Sequence, residues 1–267
     1  ISENKFIFLI KVSGVIIYEY PLNERIRTLL RLENLFARAQ HFVNLKGAFE
    51  HYAALSAIFE VLEVVARSDL KRDFISELER QKANLLSFQD NPDISLDILR
   101  SIVSDIEAVL TELHAFQGRM GQYLRENEWL MLVKGREMIP GGLCDFDLPS
   151  FHWWLHHDEE ERARYLHELF AKFKTPYRAI STILKLLRGS DVFESYTAER
   201  GEFRLNNISA NTHLLRFGLD ESQDCVPEIS ANKYFLGLRF LPAASRYGIC
   251  KNSVERNVPF QVAFCKL

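Results

Sequence analysis

The sequence predicts an α+β fold in which a helical bundle over residues 22–190 is followed by an antiparallel β-domain over 191–267. Two regimes of apolar spacing lead to this prediction. Steps of three and four residues dominate up to Gly189, and steps of two residues dominate after it. The chain has 267 residues, of which 47% are hydrophobic and 26% charged. This composition is that of a folded globular chain and excludes a disordered segment or a coiled-coil rod.

Regular apolar stripes predict the buried faces of the helices. Between Leu99 and Phe116 six apolar side chains follow one another at steps of three and four residues, which places them on one side of one helix. The same spacing runs over 52–65 and 70–78. Together these stripes predict about six to eight helices with short connections.

Capping residues predict where several helices begin. Asn23, Ser95 and Asp158 each stand at the start of a run with helical apolar spacing. Thr175 is followed by Pro176, which is the pattern of an N-cap with proline at the first helical position. We therefore expect helices to begin after these four positions.

The C-terminal part has an apolar period of two. Alternation over 215–219, 234–240 and 258–264 predicts strands with one buried face, and a further strand pair is expected around Gly201. The stretch 15–20 is also strand-like but has no partner inside a helical bundle. We expect this N-terminal strand to pair into the C-terminal sheet and complete the β-domain.

Charge and cysteine content narrow the classes of function. The 36 acidic and 33 basic residues give a net charge of −3, so no global positive field attracts nucleic acid or an anionic membrane. The four cysteines lack metal-binding or disulfide spacing, which indicates free thiols in a cytoplasmic protein. The apolar run within 1–13 is too short for a transmembrane span, and this extension has no assigned role.

The stretch from Met138 to His157 holds most of the residues that could carry chemistry. Four potential metal ligands lie close together in it: Asp145, Asp147, His152 and His156. The two histidines are four residues apart and would share a face of a helix that begins at Pro149, so a metal-dependent hydrolase is one alternative. The H-E-x-x-H pattern is absent, however, and two aspartates before such a helix are more typical of a turn and cap.

A row of arginines on the first helix suggests another alternative. Arg27, Arg31 and Arg38 fall on its outer face, where they could contact a nucleic acid. The net acidity and the lack of an exposed aromatic ladder argue against that partner. A solvated face with intrahelical ion pairs, such as Glu24 with Arg27, is an equally good interpretation.

Several longer strings resemble one bacterial protein family. They are Y-E-Y-P-L-N-E-R-I-R-T-L-L-R-L-E at 18–33, S-D-L-K-R-D-F-I-S-E-L-E-R-Q at 68–81, G-Q-Y-L-R-E-N-E at 121–128, I-P-G-G-L-C-D-F-D-L-P-S-F-H-W-W-L-H at 139–156 and E-I-S-A-N-K-Y-F-L-G-L-R-F-L-P at 228–242. On these strings the chain resembles the Z-ring-associated protein D (ZapD) family from about residue 15 to the C-terminus. Members of that family are cytoplasmic proteins that bundle filaments of the tubulin-like division protein FtsZ.

The resemblance implies a non-enzymatic homodimer without cofactor or metal, recruited to the division site at midcell. It also implies that basic residues bind the short, partly acidic C-terminal tail of FtsZ. The positions that match the family are Arg31, Arg125, Arg136 and His152 for the tail pocket, and Arg67 and Arg239 for charges that assist bundling. Trp129 and Phe151 are the expected apolar anchors of the tail.

Overall fold

A computed structural model describes residues 14–66, 69–92, 95–189, 192–232, 234–243 and 252–266. Over these residues the chain is helical in its N-terminal part and forms antiparallel strands in its C-terminal part, which confirms the predicted α+β class. The described residues divide into two compact units. One is Leu29–Ile183, and the other combines the residues up to Thr28 with those from Leu184 onward. The domain limits expected from apolar spacing remain predictions.

Nine α-helices occur in the described residues. They are α1 (Glu24–Val43), α2 (Ala48–Ala66), α3 (Leu70–Leu86), α4 (Leu96–Ala115), α5 (Gln122–Arg125), α6 (Glu128–Glu137), α7 (Pro149–Leu155), α8 (Glu159–Ala171) and α9 (Lys174–Gly189). This exceeds the six to eight expected, because α5 is too short to carry a recognisable apolar stripe. The helix expected to begin at Pro149 is confirmed as α7. None of the helices in this part of the chain combines the length and apolar character that crossing a bilayer requires.

The predicted stripes form the core of the Leu29–Ile183 unit. Four of the six side chains in the α4 stripe are buried, whereas Ile102 and Phe116 are half-buried. Phe36 of α1 is fully buried and contacts the rings of Phe173 and Tyr177 edge-on, with both centroid distances 5.6 Å. Burying one such side chain contributes about 1.5–3 kcal/mol, so these stripes account for much of the stability of the unit.

Two of the predicted helix caps form hydrogen bonds. The Asn23 side chain accepts the backbone N–H of the residue three positions on at 2.9 Å. Asp158 accepts two N–H groups in the first turn of α8, at 2.9 and 3.2 Å. Ser95 stands at the N-cap position of α4, but its side chain makes no capping bond.

The expected N-cap at Thr175 is wrong. α9 begins at Lys174, and the N–H of Tyr177 donates to the carbonyl of Phe173 at 2.9 Å. Pro176 therefore lies within the first turn. A proline is tolerated there because the N–H that it lacks would have no partner inside the helix.

The seven described strands form two antiparallel sheets rather than the single sheet expected. They are β1 (Val15–Pro21), β2 (Phe193–Ala198), β3 (Glu202–Asn206), β4 (Thr212–Asp220), β5 (Cys225–Ala231), β6 (Phe235–Pro242) and β7 (Val258–Lys266). Their order is β1-β4-β7-β2 in one sheet and β3-β6-β5 in the other. β1 pairs with β4 from Val15 opposite Asp220 to Pro21 opposite Leu214. The expected pairing of the N-terminal strand into the C-terminal sheets is confirmed.

The two strands expected around Gly201 exist but belong to different sheets. β2 pairs with β7 and β3 pairs with β6, and the bridge between Glu199 and Glu202 is the contact that links them at the turn. Gly201 has φ +73°, and a Cβ there would lie 2.5 Å from the carbonyl oxygen of Val254. The crossing from one sheet to the other therefore requires glycine.

The facing sides of the two sheets share one apolar core. Phe217, Phe240 and Phe260 are each at most 3% exposed within it. The ring of Phe260 lies 5.2 Å from that of Phe203 and 5.4 Å from that of Phe240. The sequence analysis did not identify β5, because a proline such as Pro227 argues against a strand unless that strand lies at a sheet edge, as β5 does.

A largely buried ion cluster lies on the β1-β4-β7-β2 sheet. Glu19 of β1 accepts two hydrogen bonds from Arg188 of α9, at 2.8 and 2.7 Å, and lies 3.0 Å from Nε of Arg216 on β4. The three side chains are 18%, 10% and 15% exposed. The Glu19 carboxylate compensates charge on both arginines, so it holds the end of α9 to β1 and β4.

Glu19→Gln should lower the free energy of unfolding by about 3 kcal/mol, because it removes a largely buried carboxylate that lies close to two poorly hydrated arginines. Glu24→Gln is the matched control, since its ion pair with Arg27 at 3.2 Å is solvent-exposed and contributes less than about 1 kcal/mol. Urea unfolding of the two variants measures the difference. Equal losses would show that solvent already screens the Glu19 cluster.

Candidate functional site

The helix α2 contacts the helices that carry three of the candidate residues: α5, α6 and α7. Nη2 of Arg125 on α5 donates to the carbonyl of Leu62 at 3.3 Å, near the C-terminal end of α2. Nζ of Lys134 on α6 donates to Oε1 of Glu63 at 2.5 Å. A cation close to a helix C-terminus complements the helix dipole, so the position of Arg125 is electrostatically favourable.

The helices α7 and α8 contact the N-terminal half of α2. The ring of Phe151 on α7 lies edge-on to Tyr52, with the centroids 5.8 Å apart, and Trp154 lies 6.5 Å from His51. Arg162 on α8 donates to the same histidine at 3.1 Å. We call α2 together with α5, α6, α7 and α8 the α2 platform.

The structure brings four of the six candidate residues into one unit. Within Leu29–Ile183 they are Arg31 on α1, Arg125 on α5, Arg136 on α6 and His152 on α7. Three of these four therefore belong to the α2 platform. Arg239 lies on β6 in the other unit, and Arg67 lies outside the described residues.

The candidate side chains on α6 and α7 are accessible. Nη1 of Arg136 lies 3.7 Å from Oδ1 of Asp147, and their side chains are 41% and 35% exposed. A pair this exposed contributes at most about 1 kcal/mol, so a carboxylate from a partner can compete for the arginine. His152 is exposed, and its carbonyl oxygen lies 2.9 Å from Nδ1 of His156.

The row of arginines along α1 is partly neutralised. Arg27 pairs with Glu24 at 3.2 Å, and Arg38 pairs with Glu60 of α2. Arg239 on β6 is similarly placed, 3.4 Å from Glu228 on the neighbouring strand. These pairs support the interpretation of a solvated face and leave the nucleic-acid alternative without support.

The metal alternative also lacks support in the structure. Among the described residues, no three His, Cys, Asp or Glu side chains form a group that could hold a metal ion. Asp147, one of the four proposed ligands, lies instead beside Arg136. The cysteines within the described ranges, Cys144, Cys225 and Cys265, are free thiols.

The two expected apolar anchors, Trp129 and Phe151, are less exposed than a docking role requires. Phe151 is only 2% exposed, so its assignment as a docking residue is wrong. It is buried because α7 packs it against Tyr52 and Trp154. Trp129 is half-buried, with its ring 5.7 Å from Trp154 and its Nε1 donating to Ser150.

A buried polar network positions α7. Arg162 is 6% exposed and donates to Nδ1 of His51 at 3.1 Å, to the carbonyl of Leu155 at 3.0 Å and to that of Lys46 at 3.4 Å. It also donates to the carbonyl of His157. Arg162 therefore holds the C-terminal end of the helix that carries one of the candidate cations. Sequence reasoning missed this network, although His51 directly precedes the apolar stripe over 52–65.

Burial lowers the pKa of His51 below its ordinary value, and the positive charge of Arg162 lowers it further. The backbone of Leu45 and the carboxylates of Glu159 and Glu50 act in the opposite direction without reversing the shift. A neutral imidazole suits the geometry, because Nδ1 must present a lone pair to the guanidinium.

Comparison with known proteins identifies the family. Residues 30–239 match the family model of ZapD, described as a cell division protein. The chain is 49% identical over 255 residues to the cell division protein ZapD of Dechloromonas aromatica. The alignment covers 95% of this chain and all of that protein. The corresponding protein of Aromatoleum aromaticum is 45% identical over 258 residues, with 96% of this chain and all of the relative covered.

The chain belongs to the ZapD family.

Membership connects the candidate residues to a division protein. The ZapD family match spans both units and contains all six candidate positions, from Arg31 to Arg239. The family is one of cell division proteins.

Acid should destabilise the protein through His51. Its pKa is lower in the folded than in the unfolded chain, so the unfolded chain binds more protons once the pH falls below about 6.5. The stabilising contribution of the neutral imidazole is fully present above that pH and is lost as the pH falls towards the native pKa. We therefore expect the free energy of unfolding to fall between about pH 7 and pH 5, and to fall less steeply in His51→Gln.

Urea unfolding across this pH range measures the two slopes. His114→Gln is the matched control, because His114 is exposed on α4 and the same substitution there leaves the buried network around His51 in place. Identical slopes for the wild type and His51→Gln would show that the buried imidazole does not couple protonation to folding.

Proposed function

We propose that this protein acts in cell division as a homodimer that binds the C-terminal tails of FtsZ and crosslinks FtsZ filaments. It would act in the cytoplasm and be recruited to the division site at midcell. The observation that carries the proposal is that three candidate arginines, on α1, α5 and α6, and the candidate histidine on α7 lie in one unit of a ZapD family member.

The chemistry of these side chains suits an acidic peptide. The guanidinium groups of Arg31, Arg125 and Arg136 present planar pairs of N–H groups that match the two oxygens of a carboxylate. The ammonium group of lysine has no such planar pair. Arg31 is exposed, and Arg136 has a weak competing ion pair with Asp147. Such pairs act mainly on encounter and orientation, so they suit a reversible contact with a flexible tail.

Crosslinking requires two sites on one particle. A tail of about ten residues loses conformational freedom when it binds, which limits one site to roughly micromolar affinity. A dimer that contacts two tail-bearing filaments gains an effective concentration that raises the apparent affinity by about 10² to 10⁴ without new contacts. Dimerisation is therefore as necessary to the proposal as the cationic residues.

Arg31→Glu should weaken binding of a fluorescent peptide from the FtsZ C-terminus by about tenfold or more, because it replaces an attractive charge with a repulsive one. Arg100→Glu on α4 is the matched control, since Arg100 is 76% exposed and its pair with Asp97 is 4.0 Å long. Fluorescence anisotropy gives both affinities. An unchanged affinity for Arg31→Glu would remove this residue from the site.

Filament bundling should depend on the tail and on salt. In co-sedimentation, the protein should bundle full-length FtsZ filaments but not filaments that lack the C-terminal tail. Bundling should also decline between about 50 and 300 mM salt, because the screening length shortens over this range. Undiminished bundling of tail-deleted filaments would contradict the proposed function.

A further inference from the structure

The stretch from the end of α6 into α7 exposes four large apolar side chains. The exposed fractions are 80% for Met138 and Phe146, 62% for Trp153 and 50% for Ile139. Single exposed apolar residues are ordinary on protein surfaces, but several on one short stretch are typical of an interaction surface. We call residues 138–153 the apolar segment.

Backbone hydrogen bonds hold the first part of the apolar segment in an ordered turn. The N–H of Ile139 donates to the carbonyl of Arg136 at 3.0 Å, and the N–H of Gly142 donates to that of Ile139 at 2.8 Å. A Cβ at Gly142 would lie 2.5 Å from the carbonyl oxygen of Arg136, so this turn requires glycine. A partner that contacts the segment therefore meets a backbone that is already ordered, which lowers the entropic cost of binding.

The second part of the segment is attached to the core and returns towards α6. Leu148 and Phe151 are buried, and the side chain of Arg136 lies 3.7 Å from that of Asp147. This contact brings the residue after Phe146 close to the end of α6. The exposed side chains on the two sides of the turn thus belong to one region of the surface.

The charges of this region do not favour an acidic partner. Over residues 136–153 the carboxylates of Glu137, Asp145 and Asp147 outnumber the one arginine. Glu137 accepts a hydrogen bond from the hydroxyl of Ser56, and Asp147 lies beside Arg136, so two of the three carboxylates already have partners within the chain. What the segment offers a partner is therefore mainly apolar surface.

The apolar area matches one side of a homodimer interface. Large side chains bury about 150–250 Å² each when fully covered, so the exposed fractions of these four correspond to roughly 400–700 Å². A standard interface buries about 800 Å² on each partner, and about 65% of a homodimer interface is apolar, which is about 500 Å² per copy. A second copy of the chain could therefore cover the segment completely.

A second apolar cluster, at the α3–α4 connection, is smaller. Its four side chains are 40–63% exposed and offer roughly 300–450 Å² on the same basis, and they are Leu86, Phe88, Leu96 and Ile98. This area falls below what a homodimer interface contains. The comparison favours the apolar segment as the dimer face and makes the α3–α4 cluster a suitable control surface.

We propose that the apolar segment is the face through which two copies of the chain form the homodimer. The inference rests on the proposed function, which requires a homodimer but leaves its face open. In a twofold interface both copies use the same surface, so Met138, Phe146 and Trp153 of each copy are covered by the segment of the other. Arg136 lies just before the segment and His152 close to its end, so the dimer brings tail-binding candidates of both copies near the shared face.

Phe146→Ala and Trp153→Ala test the dimer face. A truncated aromatic anchor costs about tenfold in affinity, and a twofold interface contains each substitution twice, so each variant should raise the dimer dissociation constant by about 100-fold. Phe88→Ala is the matched control, because Phe88 is a 40% exposed phenylalanine in the α3–α4 cluster. Fluorescence-detected sedimentation velocity measures the three dissociation constants against that of the wild type.

Salt distinguishes the dimer from the tail contact. Two apolar faces with a small excess of negative charge on each should associate as strongly, or more strongly, when salt rises from about 50 to 300 mM, because screening weakens only the repulsion. Tail binding through arginines should weaken over the same range. A dimer that dissociates as salt rises would show that ion pairs hold it together and would overturn the inference.

Anisotropy of the fluorescent tail peptide, measured on the same proteins, separates failure of the inference from failure of the proposed function. Dissociation of both segment variants, with Phe88→Ala unchanged, supports the inference. A wild-type dimer that either segment variant leaves intact overturns the inference while the proposed function stands. A wild type that is monomeric at micromolar concentration overturns both the inference and crosslinking by a dimer. Wild-type dimers that do not bind the tail overturn the proposed function alone.

Discussion

The burial of α2 is the constraint on which the helical unit depends. Nine of its residues are buried: His51, Ala54, Leu55, Ala57, Ile58, Phe59, Val61, Leu62 and Val65. These positions cover more than one face of the helix, so α2 must be enclosed on several sides. The helices α5 to α8 provide part of that enclosure, and their positions set where Arg125, Arg136 and His152 reach the surface. The same packing of helices around α2 thus determines both the stability of the core and the arrangement of the candidate site.

Burial separates the charged residues of this protein into two roles. Glu19 and Arg162 are among the least exposed charged side chains, and each joins several elements through hydrogen bonds. Their loss would remove hydrogen bonds or ion pairs from poorly hydrated groups, which makes them structural. Arg31 and Arg136 are more exposed, so exchanging one carboxylate for another costs them little. The proposed contacts with a partner therefore involve the exposed arginines, whose ion pairs can be exchanged at little cost in free energy.

Local patterns in the sequence predicted most of the secondary structure. Three features were recognisable because they depend on residues close together in the chain: the apolar stripe on α4, the helix cap at Asn23, and the strand β1, whose Val15 pairs with Asp220 of β4. The distribution of β2 and β3 between two sheets was not. Strand pairing joins residues far apart in the chain, and alternation identifies a strand without identifying its neighbour. The short helix α5 escaped detection for lack of length, whereas α7 begins at Pro149 as expected.

For the site, the sequence by itself determined the family and the positions of the cationic candidates, since those depend only on residue identity and order. Tertiary structure alone decided which aromatic side chains of the 138–157 stretch meet solvent. Phe151 is 2% exposed and Phe146 is 80% exposed, although they lie five residues apart. The buried role of Arg162 was decided in the same way. Exposure depends on which elements cover a side chain, and that arrangement arises from packing between distant parts of the chain rather than from any local pattern.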